Sequence, residues 1–524
     1  MPTEQPIILI PLDERPVNTK YPQMLGAIAG ASVLIPPAEI LGFARTPADL
    51  PAVLEWVREQ VIGGASAIIA SCDFLGYGNL INARISQDSA FDALARLNQL
   101  GSFNHLCPVH AFSLITRVAN ANDCVEEPLY WGEWGTRFYR YANLTHRAEA
   151  GAITADEQAE LDSLTATIPA DLRADWMTRR LRNHAVNLGL LDMTARGRLS
   201  SLLLTSDDTA PYGFSTRERD WLLGWRKLVG EPLSGRVQAY PGADEVGSAL
   251  VARTINQSRN RQPRVWIEYA IPADREIVAP YEDRPVEQTV LGQIAACGCV
   301  VAESVEESDF VLGVVTPSPN RTDYRKEFYG PDCKTRGTPY RSFIDLLANH
   351  QLGGHPIALA DVAYPNGGDR LFSRILFDLS PPHKLRPSMF VAYGAWNTAG
   401  NTLGVVIAEA SLAIYAETDD ERNAAKLFLT HRILEDMVYQ TFVRGEARDE
   451  AERLWGTREP SPTCMASQHE VAMFVEGNLQ GWLSDLRFEG IGAGVEIVPA
   501  STRLPWRRTF EVDFDLRLVA DVDD

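Results

Sequence analysis

Cysteine is scarce: Cys72, Cys107, Cys124, Cys297, Cys299, Cys333 and Cys464 are the only ones in 524 residues. Their odd number and irregular spacing exclude a disulfide framework and favour a reducing, cytoplasmic setting. Cys297-Gly298-Cys299 is the only close pair, and it lacks the second pair of a zinc site. Basic charge is also short, with 49 Lys and Arg against 69 Asp and Glu, a net charge of -20. A nucleic-acid or anionic-membrane binder needs a basic face, so neither partner is expected. No apolar run approaches the ~20 residues of a spanning helix, and the N-terminus MPTEQPIILIPLDERP does not read as a leader. No GxSxG elbow, P-loop or GxGxxG occurs, and none of the nine histidines forms a close metal pair. No cofactor or bound metal is therefore expected. The balance suits a protein acting on neutral or cationic small molecules, with a homo-oligomer left open.

What the chain does have is alternation. Short apolar, β-rich runs occur at Ile7–Leu12, Ser32–Ile35, Ala67–Cys72, Val109–Ile115, Ser201–Ser206, Arg236–Tyr240, Arg264–Tyr269, Val300–Glu303, Phe310–Val315, Ile357–Asp361 and Met389–Tyr393. Helical patterns separate them. Several runs are continuously apolar, as in parallel strands covered on both faces. This order predicts an α/β fold. Eleven strands exceed the eight of a closed barrel, so either a barrel carries extra strands or two α/β units share them. The barrel-like arrangement, related to a TIM barrel, is the one expected here for residues 1–404. A helical insertion is expected at about 125–198, where Thr154 to Glu157 reads as a capping box. Residues 405–524 read as a C-terminal helical module ending in a β-hairpin, with Phe510 to Leu518 alternating apolar and polar.

The chemical residues sit where apolar strands run into polar turns, the place where parallel α/β folds gather ligands. The first strand ends in Asp13, Glu14, Arg15 and Asn18, a kit for binding hydroxyls or a local ion pair. The third ends in Asp73, followed by a Gly-rich loop with Tyr77, Asn79, Asn82 and Arg84; it reads as a ligand loop or a capped turn. The fifth ends in Asp207-Asp208, whose mutual repulsion separates their pKa values. The sixth ends in Asp244-Glu245, a second carboxylate pair or an acidic helix start. Two later turns carry Asn366 and Asp369, then Trp396, Asn397 and Asn401, a hydrogen-bonding and stacking set suited to sugars. The aromatic cluster Tyr130, Trp131, Trp134, Phe138, Tyr139 and Tyr141 reads either as a stacking surface or as the insertion's own core. Asp13, Asp73, Asp207 and Asp361 offer a further reading as oxygen ligands for a hard cation.

Six of these segments together resemble a bacterial family catalogued as domain of unknown function 4127. They are PLDERPVN (Pro11–Asn18), the Asp73–Arg84 loop, SDDTAPYG (Ser206–Gly213), YPGADEVG (Tyr240–Gly247), DVAYPNGGD (Asp361–Asp369) and WNTAGNTLG (Trp396–Gly404). Shorter segments are similar to β-N-acetylhexosaminidase-type enzymes. Asp207-Asp208 looks like the adjacent aspartates of barrel enzymes that remove N-acetylglucosamine from proteins. Gly242-Ala243-Asp244-Glu245 looks like the Gly-Gly-Asp-Glu motif of classical β-hexosaminidases, with Ala243 in place of a glycine. The turn Asp361–Asp369 is similar to a sugar-binding turn of the first group.

The expectation is a glycoside hydrolase on an N-acetylated amino sugar. Carboxylates adjacent in sequence suit substrate-assisted catalysis, in which one orients the acetamido group and the other donates a proton. Asp207 is expected in the first role and Asp208 in the second, with Asp244 and Glu245 as the alternative catalytic pair. Asp13, Arg15, Asn18, Asp73, Tyr77, Asn366, Asp369, Trp396, Asn397 and Asn401 are the expected substrate-binding residues. A metal-dependent hydrolase or isomerase on a sugar-like substrate, and a non-catalytic carbohydrate-binding protein, are the alternatives.

Overall fold

The computed structural model describes residues 5–319, 333–377, 385–459, 464–488 and 490–519. The chain forms two compact units. One contains the chain up to Glu14, Ala31–Leu250 and Tyr281–Arg284; the other contains Arg15–Gly30, Val251–Pro280 and the chain from Pro285 onward.

The first unit is built on a six-stranded parallel sheet of β1 (Ile7–Ile10), β2 (Val33–Leu34), β3 (Ala67–Ser71), β4 (Val109–Ile115), β5 (Ser201–Ser206) and β6 (Val237–Pro241), in the order β2-β1-β3-β4-β5-β6. Every residue of β1, β3 and β5 is buried, which explains the apolar runs Ile7–Ile10, Ala67–Ala70 and Leu202–Leu204 within them. Helices connect the strands, and the amphipathic helix Leu50–Ile62 shows how: Val53, Leu54, Val57 and Val61 are buried, and Asp49 accepts the Ala52 N–H at its start.

The second unit has a five-stranded parallel sheet of β7 (Arg264–Tyr269), β8 (Val300–Val301), β9 (Phe310–Val315), β10 (Ile357–Asp361) and β11 (Phe390–Gly394), in the order β11-β10-β9-β7-β8. Counted from its own first strand, this sheet runs 2-1-3-4-5. The first five strands of the other sheet follow the same order, which is that of doubly wound flavodoxin-like sheets. The α/β class and parallel strands are thus as expected. A barrel is not confirmed: the eleven strands are shared six and five between two sheets, the other arrangement that the strand count left open.

Between β4 and β5 lie the helices Trp131–Glu149, Ala155–Thr167 and Ala170–Ala195. Thr154 and Glu157 form the expected capping box. The aromatic cluster closes a small local core: Trp131 and Phe138 stack at 5.0 Å, and Trp176 and Phe214 pack beside them. Late in the second unit, the helix Asp419–Arg432 runs into an 11-residue π-helix, Ile433–Val443. Residues 510–518 are less regular than their alternation implies. Only β13 (Leu516–Leu518) is strand, antiparallel to β12 (Val495–Ile497), while Asp513 makes an isolated bridge to Arg503.

Candidate active site

The C-terminal ends of β3, β4 and β5 carry a connected set of buried and half-buried charges. Asp207 and Asp208 leave β5, and each is held by a different arginine. Arg84 Nη2 donates to Asp207 Oδ2 at 2.5 Å, and Arg117 Nη1 donates to Asp208 Oδ2 at 2.9 Å. The two arginines also share two glutamates. Arg84 Nη1 lies 3.0 Å from Glu126 and 3.5 Å from Glu127; Arg117 reaches Glu126 at 3.2 Å and Glu127 at 2.9 Å. Four carboxylates thus surround two guanidiniums, leaving the group negative.

Local structure places each of these side chains. Ser71 caps the helix Cys72–Tyr77 by accepting the Phe74 N–H, which sets Asp73 at the end of β3. Gly78 ends that helix at φ +110, where an added Cβ would stand 2.5 Å from Pro47 Cβ. Asn79 then caps the helix Leu80–Ile85, which carries Arg84. The Gly-rich stretch is therefore a capped helix–turn–helix, and its glycine serves close packing on residue 47. Arg117 follows β4 by two residues.

The carboxyls differ in character. Asp208 sits at φ +33, a left-handed conformation that a non-glycine residue adopts only when its surroundings hold it. Its side chain keeps 28% exposure. Burial and then the neighbouring Asp207 raise its pKa to about 6, against the pull of Arg117 and Arg84. Asp73, only 3% exposed, is raised by burial to about 7, although its Oδ2 accepts the Leu114 N–H at 2.7 Å. Tyr77 is buried in the core of the unit with the Arg182 guanidinium 4.3 Å over its ring.

The second carboxylate pair is arranged otherwise. Glu245 is fully buried, and its Oε2 accepts the Ala243 N–H at 2.9 Å, closing its own turn. Gly242, at φ +149, permits this: a Cβ there would lie 1.9 Å from Glu245 Oε1. Asp244 is 4% exposed and Asp13 is fully buried, both in the first unit.

The remaining expected residues belong to the second unit. Arg15 lies 3.7 Å from Glu511 and stacks on Trp506, and Asn18 is buried. Asp369 is committed to structure: Oδ1 accepts the Leu371 N–H at the start of the helix Arg370–Phe377, and Oδ2 accepts the Tyr340 hydroxyl at 2.6 Å. Its neighbour Asp361 is fully buried and raised to about 7, first by burial and then by Asp369. Asn366 and Asn397 are both left-handed and are joined by the Asn366 N–H to Asn397 O bond. Trp396 and Asn401 are buried. Among the described residues, no group of three or more His, Cys, Asp or Glu is placed to hold a metal ion.

Sequence reasoning passed over Arg117, Glu126 and Glu127. The rule that exposed β1, β3 and β5 would have found Arg117 had it been applied to the end of β4. The two glutamates lie in the loop before the insertion and carry no spacing signal.

No helix among the described residues is long and apolar enough to cross a membrane. No curated protein matches the chain. A family model does match, over residues 7–515, and it is described as a protein of unknown function, DUF4127. With nearly the whole sequence covered, the chain belongs to the DUF4127 family.

Proposed function

We propose that this protein is a glycoside hydrolase acting on an N-acetylated amino sugar, with Asp208 as the proton donor. The observation that carries the reading is the inequality of two adjacent aspartates at a strand end. Asp208 is raised to about 6 and keeps an exposed edge, while Asp207 is ion-paired with Arg84. A carboxylic acid titrating near the working pH is what general-acid catalysis needs. The short hexosaminidase-like motif supports the choice of sugar.

In this reading Asp207 orients the acetamido group of the substrate. The acetamido oxygen attacks the anomeric carbon as the glycosidic bond breaks, and Asp208 gives its proton to the leaving oxygen. Asp208, now a carboxylate, takes a proton from the water that opens the cyclic intermediate, which returns the site to its starting state. Asp244 and Glu245 are set aside as the pair because Glu245 is spent on its own turn.

The test is release of the aryl alcohol from aryl N-acetyl-β-glucosaminide and N-acetyl-β-galactosaminide. Wild type should turn over at least one of them, and Asp208→Asn should lose at least about a hundredfold in kcat. Saturable sugar binding without turnover would move the account to a carbohydrate-binding protein.

A further inference from the structure

The turns after β10 and β11 take no part in the acid chemistry proposed above, yet they hold polar groups that the protein leaves unanswered. Trp396 is 4% exposed, and its Nε1–H has no hydrogen-bond acceptor among the described residues. Arg444, on the helix that continues from the π-helix, has a buried Nε with no acceptor among the described residues. Its one side-chain hydrogen bond runs from Nη1 to Gln440 Oε1 at 3.2 Å, and it makes no ion pair among the described residues. Burial and the nearby Arg448 and Arg508 push its pKa down, against Tyr439 and Glu459. The side-chain oxygen of Asn366 is likewise buried and unmatched.

Trp396 and Arg444 pack against one ring. Phe510 lies 5.7 Å from Trp396, with the Arg444 guanidinium 5.1 Å and the Arg508 guanidinium 4.8 Å from its centre. The backbone is strained on both sides: Asn366 and Asn397 are left-handed in the two turns, and Trp506 and Arg507 are left-handed in the segment leading to Phe510. Strain of this kind persists where a site is preorganised. Buried donors without acceptors are rare in native proteins and call for an explanation. Arg444 and Phe510 are half-buried.

We propose that the second unit binds a small oxyanion, a phosphate or carboxylate group, between Arg444 and Trp396 beside Phe510. An oxyanion supplies acceptors to both donors and an opposite charge to Arg444, and a guanidinium is the side chain best shaped to receive one. The inference is independent of the proposed hydrolysis.

The experiment is calorimetric titration of the full chain with inorganic phosphate and, separately, with acetate, at ionic strength held constant with chloride. At least one should bind saturably. Arg444→Gln and Trp396→Phe should each weaken that binding at least about tenfold, the loss expected for one charge-assisted hydrogen bond. Trp396→Phe keeps the ring and deletes only the N–H, so it tests the contact without emptying the core. Asp208→Asn should bind as wild type does. Binding by phosphate alone assigns a phosphoryl ligand, and binding by acetate assigns a carboxylate. Absence of saturable binding by either, unchanged affinity in both site variants, or equal loss in Asp208→Asn would each overturn the proposal.

Discussion

Replacing Asp73 by Asn should change stability by an amount that grows more favourable to the variant as pH rises. Asp73 is 3% exposed, and burial raises its pKa from 3.8 to about 7. A carboxyl whose folded pKa lies above its unfolded one binds more protons folded than unfolded between those values. Stability from this group is therefore fully present below pH 4 and is lost as pH rises to 7. From pH 5 to about pH 7 the native state keeps a proton that the unfolded state has released, and over those two pH units this costs about 3 kcal/mol at 1.36 kcal/mol per unit. Asn cannot ionise, and its carbonyl can still accept the Leu114 N–H. Relative to wild type, Asp73→Asn should thus gain about 3 kcal/mol between pH 5 and pH 8. Urea unfolding at both pH values measures the difference, and taking it between variants cancels Asp361, which titrates in the same window. A difference that is the same at pH 5 and pH 8 would refute the reasoning.

Two other perturbations follow from the site. Arg117 holds the Asp208 pKa down from 2.9 Å. Arg117→Gln should raise that pKa by about one unit or more and move the high-pH limb of kcat/KM upward with it; an unmoved limb would remove Asp208 from the acid role. Gly242→Ala should destabilise the first unit by about 2 kcal/mol in urea, because φ +149 disfavours a side chain and the new methyl displaces Glu245 from the Ala243 N–H. A neutral result would show that Glu245 does not close that turn.

The strands were legible because burial on both faces favours apolar residues: Ile7–Ile10 is apolar and buried throughout, and Leu202–Leu204 forms the buried centre of β5. Their partition into two sheets was not legible. Which strands pair depends on contacts far apart in sequence, such as β6 closing on β5 while β7 begins a second sheet with β9. The π-helix Ile433–Val443 left no pattern that a 3.6-residue period would reveal. At the site, the adjacent aspartates stood out because carboxylates leaving a buried strand are costly. Whether such a group faces a ligand or the backbone could not be read. Asp369 and Glu245 look like Asp208 in sequence, yet they accept N–H groups of their own turns.

Asp208 is the residue on which the proposed hydrolysis depends most directly. The decisive measurement is kcat and kcat/KM of purified wild type and Asp208→Asn on the aryl N-acetyl-β-hexosaminides, read between pH 4 and pH 9. In wild type, kcat/KM should decline above about pH 6, where Asp208 of the free protein loses its proton. In Asp208→Asn, kcat should drop at least about a hundredfold with unchanged folding. Near-normal turnover in that variant would contradict the acid role of Asp208.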